Sequence, residues 1–514
     1  MSPVLYNIEK ILIFYVQYAR MKLEFLARKG KEMALENLEP KVVFHYFEEL
    51  TKIPHGTYNT KEISDYCVNF AKDLGLEYMQ DETNNVIIKK AGTKGYENAE
   101  PIIIQGHLDM VCEKIPGSAH DFTKDPLDVY EEDGMVQARG TTLGGDDGIA
   151  IAYAMAILAS DDLEHPPIEA VFTVDEEEGM GGANAIDLSV LKGRMLLNLD
   201  SDVEGTIVAG CEGGYENVIR IPIEREEKEG TLISICIGGL KGGHSGLEIH
   251  EQHGNSNKLM GRLLMTLAAE DVDFSLVEFN GGSKPNVITS LTEGKIILCP
   301  ELVQKAKEVI QECEEVMKEE FGQDEPDLTI TVSEEAGQKV NAMTKESTKK
   351  TVFLVTATPD GVQCFSRNIK GLVETSLNLG IAKTEEKQVT AVYRVRSAVQ
   401  SKKTNMKKVL AMWAEYLGGT PSVEGEYPAW AYKTDSKIRP IVVDTYKELF
   451  GKEPIVTTIH AGLECGLFAG KLEGLDCVSI GPEMLSIHSP NEKLSVASTQ
   501  RTWELLKGIL KNCK

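Results

Sequence analysis

Several short stretches of this chain close an apolar run with residues that can bind a metal ion or move a proton. Ile102-Ile103-Ile104-Gln105-Gly106-His107-Leu108-Asp109 ends a β-branched run in a histidine and an aspartate two positions apart. Residues i and i+2 of a strand face the same side. His107 and Asp109 can therefore meet at one mouth of a sheet, as a metal-binding imidazole and its orienting carboxylate require. Phe172-Thr173-Val174-Asp175-Glu176-Glu177-Glu178-Gly179 caps a second buried run with four consecutive carboxylates. Such groups repel one another unless a cation lies nearby, and one Glu can bind metal while its neighbour addresses a water. Leu196-Leu197-Asn198-Leu199-Asp200 ends a third apolar run in an acid. Gly140-Thr141-Thr142-Leu143-Gly144-Gly145-Asp146-Asp147-Gly148 sets two adjacent aspartates in a glycine-rich turn, where the backbone can approach a ligand closely. Each stretch alone has an ordinary reading: a surface strand end, a helix cap, a solvated acidic loop. Three strands that all end in metal-type residues are a constellation, because open α/β sheets bind ligands at the carboxyl ends of their strands.

The elements that must position these residues follow from the hydrophobic pattern. Val42–Leu50 and Lys61–Leu74 space apolar residues as amphipathic helices, and Ala150–Ala159 reads as a helix packed on both sides. Asn85–Ile88, Ile102–Ile104, Ile168–Val174 and Met195–Leu199 read as strands. This alternation predicts an α/β layer fold with a central sheet. After Gly213-Gly214 the texture changes. Asn217–Ile223, Thr231–Ile237, Leu328–Val332, Thr351–Ala357 and Gln388–Val395 read as strands, and Leu259–Ala269, Val303–Glu320 and Asn405–Leu417 as helices. Strands and helices in separate runs suggest an α+β module. Ile438–Phe450, Glu464–Ala469 and Cys477–Ile480 return to the first texture. The expected organisation is an N-terminal extension (1–32), a catalytic domain in two parts (33–212 and 426–514), and an inserted lid or dimerisation domain (213–425).

The extension holds an apolar run, Ile11–Tyr15, too short to cross a bilayer, and no small-residue cleavage site follows it. It fits an amphipathic helix docked on the body or on a membrane surface. The reading preferred here is a misplaced start: Lys29-Gly30-Lys31-Glu32 would be encoded by a purine-rich stretch, like a ribosome-binding site, before Met33.

Composition narrows the function further. Lys and Arg number 54 against 80 Asp and Glu, a formal net charge of -26, which argues against a nucleic-acid partner. Ten cysteines without a Cys-x-x-Cys pair, in a chain with no export signal, predict reduced thiols and a cytoplasmic location. A metal site must then be built from His and carboxylates. Ile459-His460-Ala461-Gly462-Leu463-Glu464, Ile487-His488-Ser489-Pro490-Asn491-Glu492 and Gly242-Gly243-His244-Ser245-Gly246 supply further histidines, each of which alone would more often be structural.

Taken in order, these motifs resemble the co-catalytic metallopeptidases related to carnosinase and aminoacylase. The strings GHLDMVCEK, TTLGGDDGIA, DEEEGMGGA, GGHSG, IHAGLECGLF and SIGPEMLSIHSPNE are most similar to the bacterial aminoacyl-histidine dipeptidases, over about residues 34 to 514. The resemblance implies a phosphorylase/hydrolase-like α/β catalytic domain with a central mixed sheet and an inserted α+β lid. It implies two divalent metal ions, zinc first and manganese or cobalt as alternatives. His107 and Asp200 would bind one ion, Glu177 and His488 the other, and Asp146 both. Asp109 would orient His107, Glu176 would be the general base, and the Asp146–Asp147 peptide would be cis. His244, Asn286, Arg396 and Glu464 would contact substrate. The implied activity is hydrolysis of Xaa-His, carnosine-like dipeptides, the implied assembly is a homodimer paired through the inserted domain, and no nucleic-acid or membrane partner is expected. A broader dipeptidase or tripeptidase, or an N-acyl amino acid deacylase, would use the same site. A metal-binding scaffold would not need Glu176.

Overall fold

The computed structural model describes residues 34–460 and 462–514. The expectations for residues 1–32 lie outside them. An eight-stranded mixed sheet runs in the order Glu77–Gln80, Val86–Lys90, Ile168–Thr173, Ile102–His107, Met195–Asn198, Asp476–Ser479, Thr206–Cys211 and Ile455–Ile459. Ile102–His107 pairs in parallel with Ile168–Thr173 on one side and Met195–Asn198 on the other. These three strands are buried at every position, as expected of parallel strands covered on both faces. Their residues alternate between two cores. Ile102, Ile104, Phe172 and Leu197 join the cluster that holds the helix Gly145–Ala159 and the helix Val496–Asn512. Ile103, Val171 and Leu196 join the opposite cluster, with Cys477 and Phe468.

Gly145–Ala159 packs directly on the His107 strand. A Cβ at Gly106 would lie 2.6 Å from the Asp147 carboxylate and 2.7 Å from Ala150 Cβ. Glycine at that position is what lets the start of the helix reach the strand end.

A second sheet is antiparallel throughout and is drawn from residues 213–427. Its order is Thr329–Met343, Arg225–Gly238, Thr292–Leu298, Phe274–Gly281, Val373–Thr384, Gln388–Ser397, Gly213–Pro222 and Thr420–Tyr427, with Gly361–Phe365 paired to Val373–Thr384. Its apolar face is covered by the helices Ser256–Ala269, Val303–Phe321, Lys345–Ala357 and Gln400–Tyr416, which share one core with it. The chain leaves the first sheet at Cys211 and returns to it at Ile455.

One expected strand is a helix. Thr351–Ala357, a β-branched run, is the second half of Lys345–Ala357. Thr344 starts that helix by accepting the Ser347 N–H, and Thr351, Leu354 and Val355 are buried along one side. Packing at helical spacing overrides the local strand preference.

Candidate metal centre

The three central strands deliver their chemistry at one edge. His107 is the last residue of its strand and is 1% exposed. The neighbouring strand runs into Val174-Asp175-Glu176-Glu177, and the other into Leu199-Asp200. Asp146 and Asp147 sit where the helix Gly145–Ala159 begins, behind Gly144 in the left-handed region, and the peptide between them is cis, as expected. His488 arrives from a loop near the C-terminus.

Asp146 lies between the two imidazoles. Its Oδ1 is 3.2 Å from His107 Nε2, and its Oδ2 is 3.1 Å from His488 Nε2. Asp200 Oδ1 is 3.7 Å from His107 Nε2, and Glu177 Oε1 is 3.2 Å from His488 Nε2. One carboxylate thus faces both rings, and each ring has a second carboxylate of its own. Ligand atoms of His107, Asp147 and Asp200 also lie within 4.8 Å of one another. Asp147 has no exposed surface, however, and its Oδ2 accepts the His107 N–H at 3.1 Å, so it braces the strand end.

His107 Nδ1 meets Asp109 chiefly through the main chain: the Asp109 carbonyl is 3.0 Å away and the carboxylate 3.5 Å. The Asp109 carboxylate itself accepts from Thr57 Oγ1 at 2.9 Å and from the N–H groups of Glu176 and Glu177 at 3.0 and 3.3 Å. Asp109 therefore ties the His107 strand to the acidic loop. Thr57 and Tyr58 belong to a polar loop that sequence reasoning passed over. The Tyr58 N–H donates to Asp175, and its hydroxyl reaches the Glu178 carbonyl.

These donors fit divalent cations. Imidazole nitrogens and carboxylate oxygens are a zinc or manganese set, and among the described residues the buried Glu177 Oε1 faces no polar partner other than the His488 ring at 3.2 Å. The charge state points the same way. Hydrogen bonds to Asp146 and Glu177 push His488 up to about 10. Burial opposes charge on His107, yet its contacts with Asp109, Asp146 and Asp200 hold it well above the usual imidazole range. The carboxylates demand positive charge, which metal ions supply in place of protons. Burial, then the charges of Asp200, Glu464 and Glu177, lift the Glu176 carboxyl well above the usual range, against the pull of His107. A carboxyl raised in this way holds a proton more readily than an exposed one, which suits a group that takes up and returns a proton.

The remaining candidates form a second group. His244 Nδ1 accepts from the N–H groups of Gly246 and Leu247 at 3.3 and 3.1 Å, which leaves Nε2–H as a donor. Burial and the nearby Arg396 keep this ring below the usual imidazole range, hence neutral. The Asn286 carbonyl accepts the Ser245 N–H at 2.9 Å, placing Asn286 beside the same loop. Arg396 is 4% exposed; its Nη1 meets the Tyr427 hydroxyl at 3.2 Å, and its Nε has no partner. The two bodies touch here. A Cβ at Gly246 would lie 2.6 Å from the His460 carbonyl and 3.1 Å from Arg396 Cζ, and one at Gly462 would lie 3.0 Å from both Met180 and the Tyr427 ring. Glu464 stands apart from this group. It has no exposed surface and accepts from Gln105 at 2.5 Å and Thr173 at 2.6 Å. In this conformation it offers no surface to a substrate and instead links the strands beneath His107.

Comparison with known proteins shows the family and the fold. The chain is 37% identical to the cytosol non-specific dipeptidase of Escherichia coli (strain K12) over 93% of this chain and 98% of the relative. It superposes on the crystal structure of aminoacylhistidine dipeptidase from Vibrio alginolyticus with a TM-score of 0.89 and 37% identity, covering 95% of this chain and 99% of the other. Aminopeptidase PepT from Bacillus cereus ATCC 10987 shares the fold, with a TM-score of 0.53 at 17% identity over 93% of this chain and 99% of the other. The family model for peptidase family M20/M25/M40 matches residues 103–512, a span that begins in the strand bearing His107 and takes in every candidate residue above, and the chain belongs to that family.

Proposed function

We propose that this peptide hydrolase cleaves dipeptides with a preference for Xaa-His substrates, using two divalent cations and Glu176 as general base. The observation that carries the two-metal reading is Asp146, whose two oxygens each face a different imidazole. His107 and Asp200 would hold one ion, Glu177 and His488 the other, and Asp146 both. When bound, zinc, or manganese or cobalt in its place, supplies Lewis acidity toward the scissile carbonyl and lowers the pKa of the attacking water. Glu176 accepts the proton of that water and returns it to the leaving amine. Asp109 keeps His107 in one orientation and fixes the main chain on which Glu176 stands. His244, neutral with Nε2–H free, donates to the oxyanion as it develops. Arg396, a buried guanidinium with no carboxylate partner among the described residues, receives the carboxylate of the dipeptide, with Asn286 alongside.

The histidine preference is supported by the Vibrio alginolyticus relative, an aminoacylhistidine dipeptidase. The Escherichia coli relative, a non-specific dipeptidase, supports a broader range on the same site. Release of free amino acids from a panel of Xaa-His and other dipeptides, with and without chelator, separates the two. Equal rates across the panel would remove the histidine preference, and no hydrolysis after zinc or manganese loading would sink the reading as a whole.

A cytoplasmic location is supported by ten free cysteines and by the cytosol relative. Among the described residues no helix is long and apolar enough to cross a membrane. A homodimer through the second body is supported by exposed apolar groups on its helices, Met265, Phe353, Met412 and Tyr416. Light scattering at a mass near 57 kDa would remove it.

A further inference from the structure

Glu492 performs no chemistry in the reading above. It stands four residues after His488 and is 3% exposed. Its Oε2 accepts the N–H groups of Leu143 at 2.8 Å and Gly144 at 3.2 Å, and its Oε1 those of Gly145 at 2.8 Å and Asp146 at 3.3 Å. Four consecutive main-chain donors converge on one carboxylate. An ionised carboxylate suits this arrangement, because it has about four lone-pair sites and no hydrogen to donate. The donors lie at the start of the helix Gly145–Ala159, where N–H groups lack partners within the helix and the helix dipole favours negative charge. The turn is also shaped around the group: a Cβ at Gly145 would stand 3.1 Å from Glu492 Oε1.

The two ends of this clasp carry the two partners of one contact. The turn bears Asp146 and the loop bears His488, and the two side chains meet at 3.1 Å. We propose that Glu492 is a positioning residue that locks the Asp146 turn to the His488 loop, so that Asp146 presents one oxygen to each imidazole and two cations are bound as a pair. This rests on the two-metal reading above. A ligand such as His107 acts on one ion directly. Glu492 acts through the shared carboxylate, so its loss should weaken both ions together.

Glu492→Gln tests the claim. The amide keeps one acceptor oxygen but turns an NH2 group toward two buried N–H donors, so two of the four bonds are lost. Glu492→Asp keeps the charge on a stem one methylene shorter. Zinc is titrated into the chelator-stripped full chain against a chromophoric chelator, for wild type and both variants, with circular dichroism of the stripped proteins. The expected result is two zinc equivalents in wild type. In Glu492→Gln both should weaken by about 10- to 100-fold, with the dichroism unchanged and Glu492→Asp between. A merely structural role would lower the melting temperature of stripped and loaded protein alike and leave zinc affinity in place. Wild-type affinity in Glu492→Gln would therefore overturn the proposal, and if that variant does not fold, wild-type affinity in Glu492→Asp would do so. If wild type itself takes up no zinc, the metal centre fails and the clasp's role falls with it. Normal wild-type binding with an unaffected variant sinks the clasp alone.

Discussion

Loading the centre with metal should release protons, and the number can be worked out from the residues. In the metal-free protein His488 is pushed up to about 10 by Asp146 and Glu177, so it is cationic at pH 7. His107 is cationic too, because its three carboxylate neighbours outweigh the effect of burial. Burial pushes Asp200 up to about 7, leaving it roughly half protonated at neutrality. Imidazole and carboxylate ligands must be deprotonated, so binding a pair of ions should expel about 2 to 2.5 protons at pH 7. The apparent affinity for the pair should then climb by about two log units per pH unit around neutrality. The assay is isothermal titration of zinc into stripped protein in buffers of different ionisation enthalpy, where the slope of observed heat against buffer heat counts protons. A slope near zero would mean neutral imidazoles in the metal-free site, and the electrostatic argument would be wrong. The same shift has a stability consequence of definite sign. A histidine raised from about 6.5 to about 10 on folding contributes stability that is complete below pH 6.5 and is lost as pH rises through 10. Stripped protein should lose melting temperature over that window and zinc-loaded protein should lose less. The ring is 48% exposed, so solvent screening blunts the size of the effect but not its direction.

Three substitutions probe the centre at different depths. Glu176→Gln should retain both zinc equivalents, measured by metal analysis, and lose about 10²- to 10⁴-fold in kcat; near-normal turnover would remove Glu176 as the base. Thr57→Val deletes the 2.9 Å bond to Asp109 and leaves that carboxylate the two N–H groups of the acidic loop. Loss of a bond to a charged group should cost about 1.5–3 kcal/mol in denaturant melts, with a smaller loss of kcat/KM than Glu176→Gln, and unchanged stability would argue against Thr57 as a support. Gly106→Ala drives a methyl to 2.6 Å from Asp147 and 2.7 Å from Ala150. The helix must shift, which should destabilise by about 1–3 kcal/mol, and an unaltered melting temperature would show that the close packing is not needed.

What could be seen beforehand divides along physical lines. His107, Asp109, Glu176, Glu177 and Asp200 were legible as candidates because each follows an apolar run that has to be a buried strand, and polar residues at three such ends are costly without a shared purpose. Asp146 and His488 were legible as motifs, but their meeting across 342 positions is a tertiary fact that periodicity does not contain. Thr351–Ala357 misled because its β-branched residues state a local preference, while the buried side of Lys345–Ala357 is decided by the sheet beneath it. Glu464 is a different case. Its motif marks a residue near the centre, and only packing shows its carboxylate turned inward to Gln105 and Thr173. Thr57 left no signal, and Glu492 stood in the His488 motif without a legible role, because each contacts a distant strand end or turn. Glu492 binds main-chain N–H groups, which nearly every residue carries, so nothing in Leu143–Asp146 marks them as its partners. Candidate ligands announce themselves by side-chain type, whereas the residues that brace them, through a side chain as Thr57 does or through the backbone as Glu492 does, emerge only once the chain is folded. The Glu492 clasp belongs to the second kind, which is why zinc affinity, rather than any motif, is the measurement that can detect it.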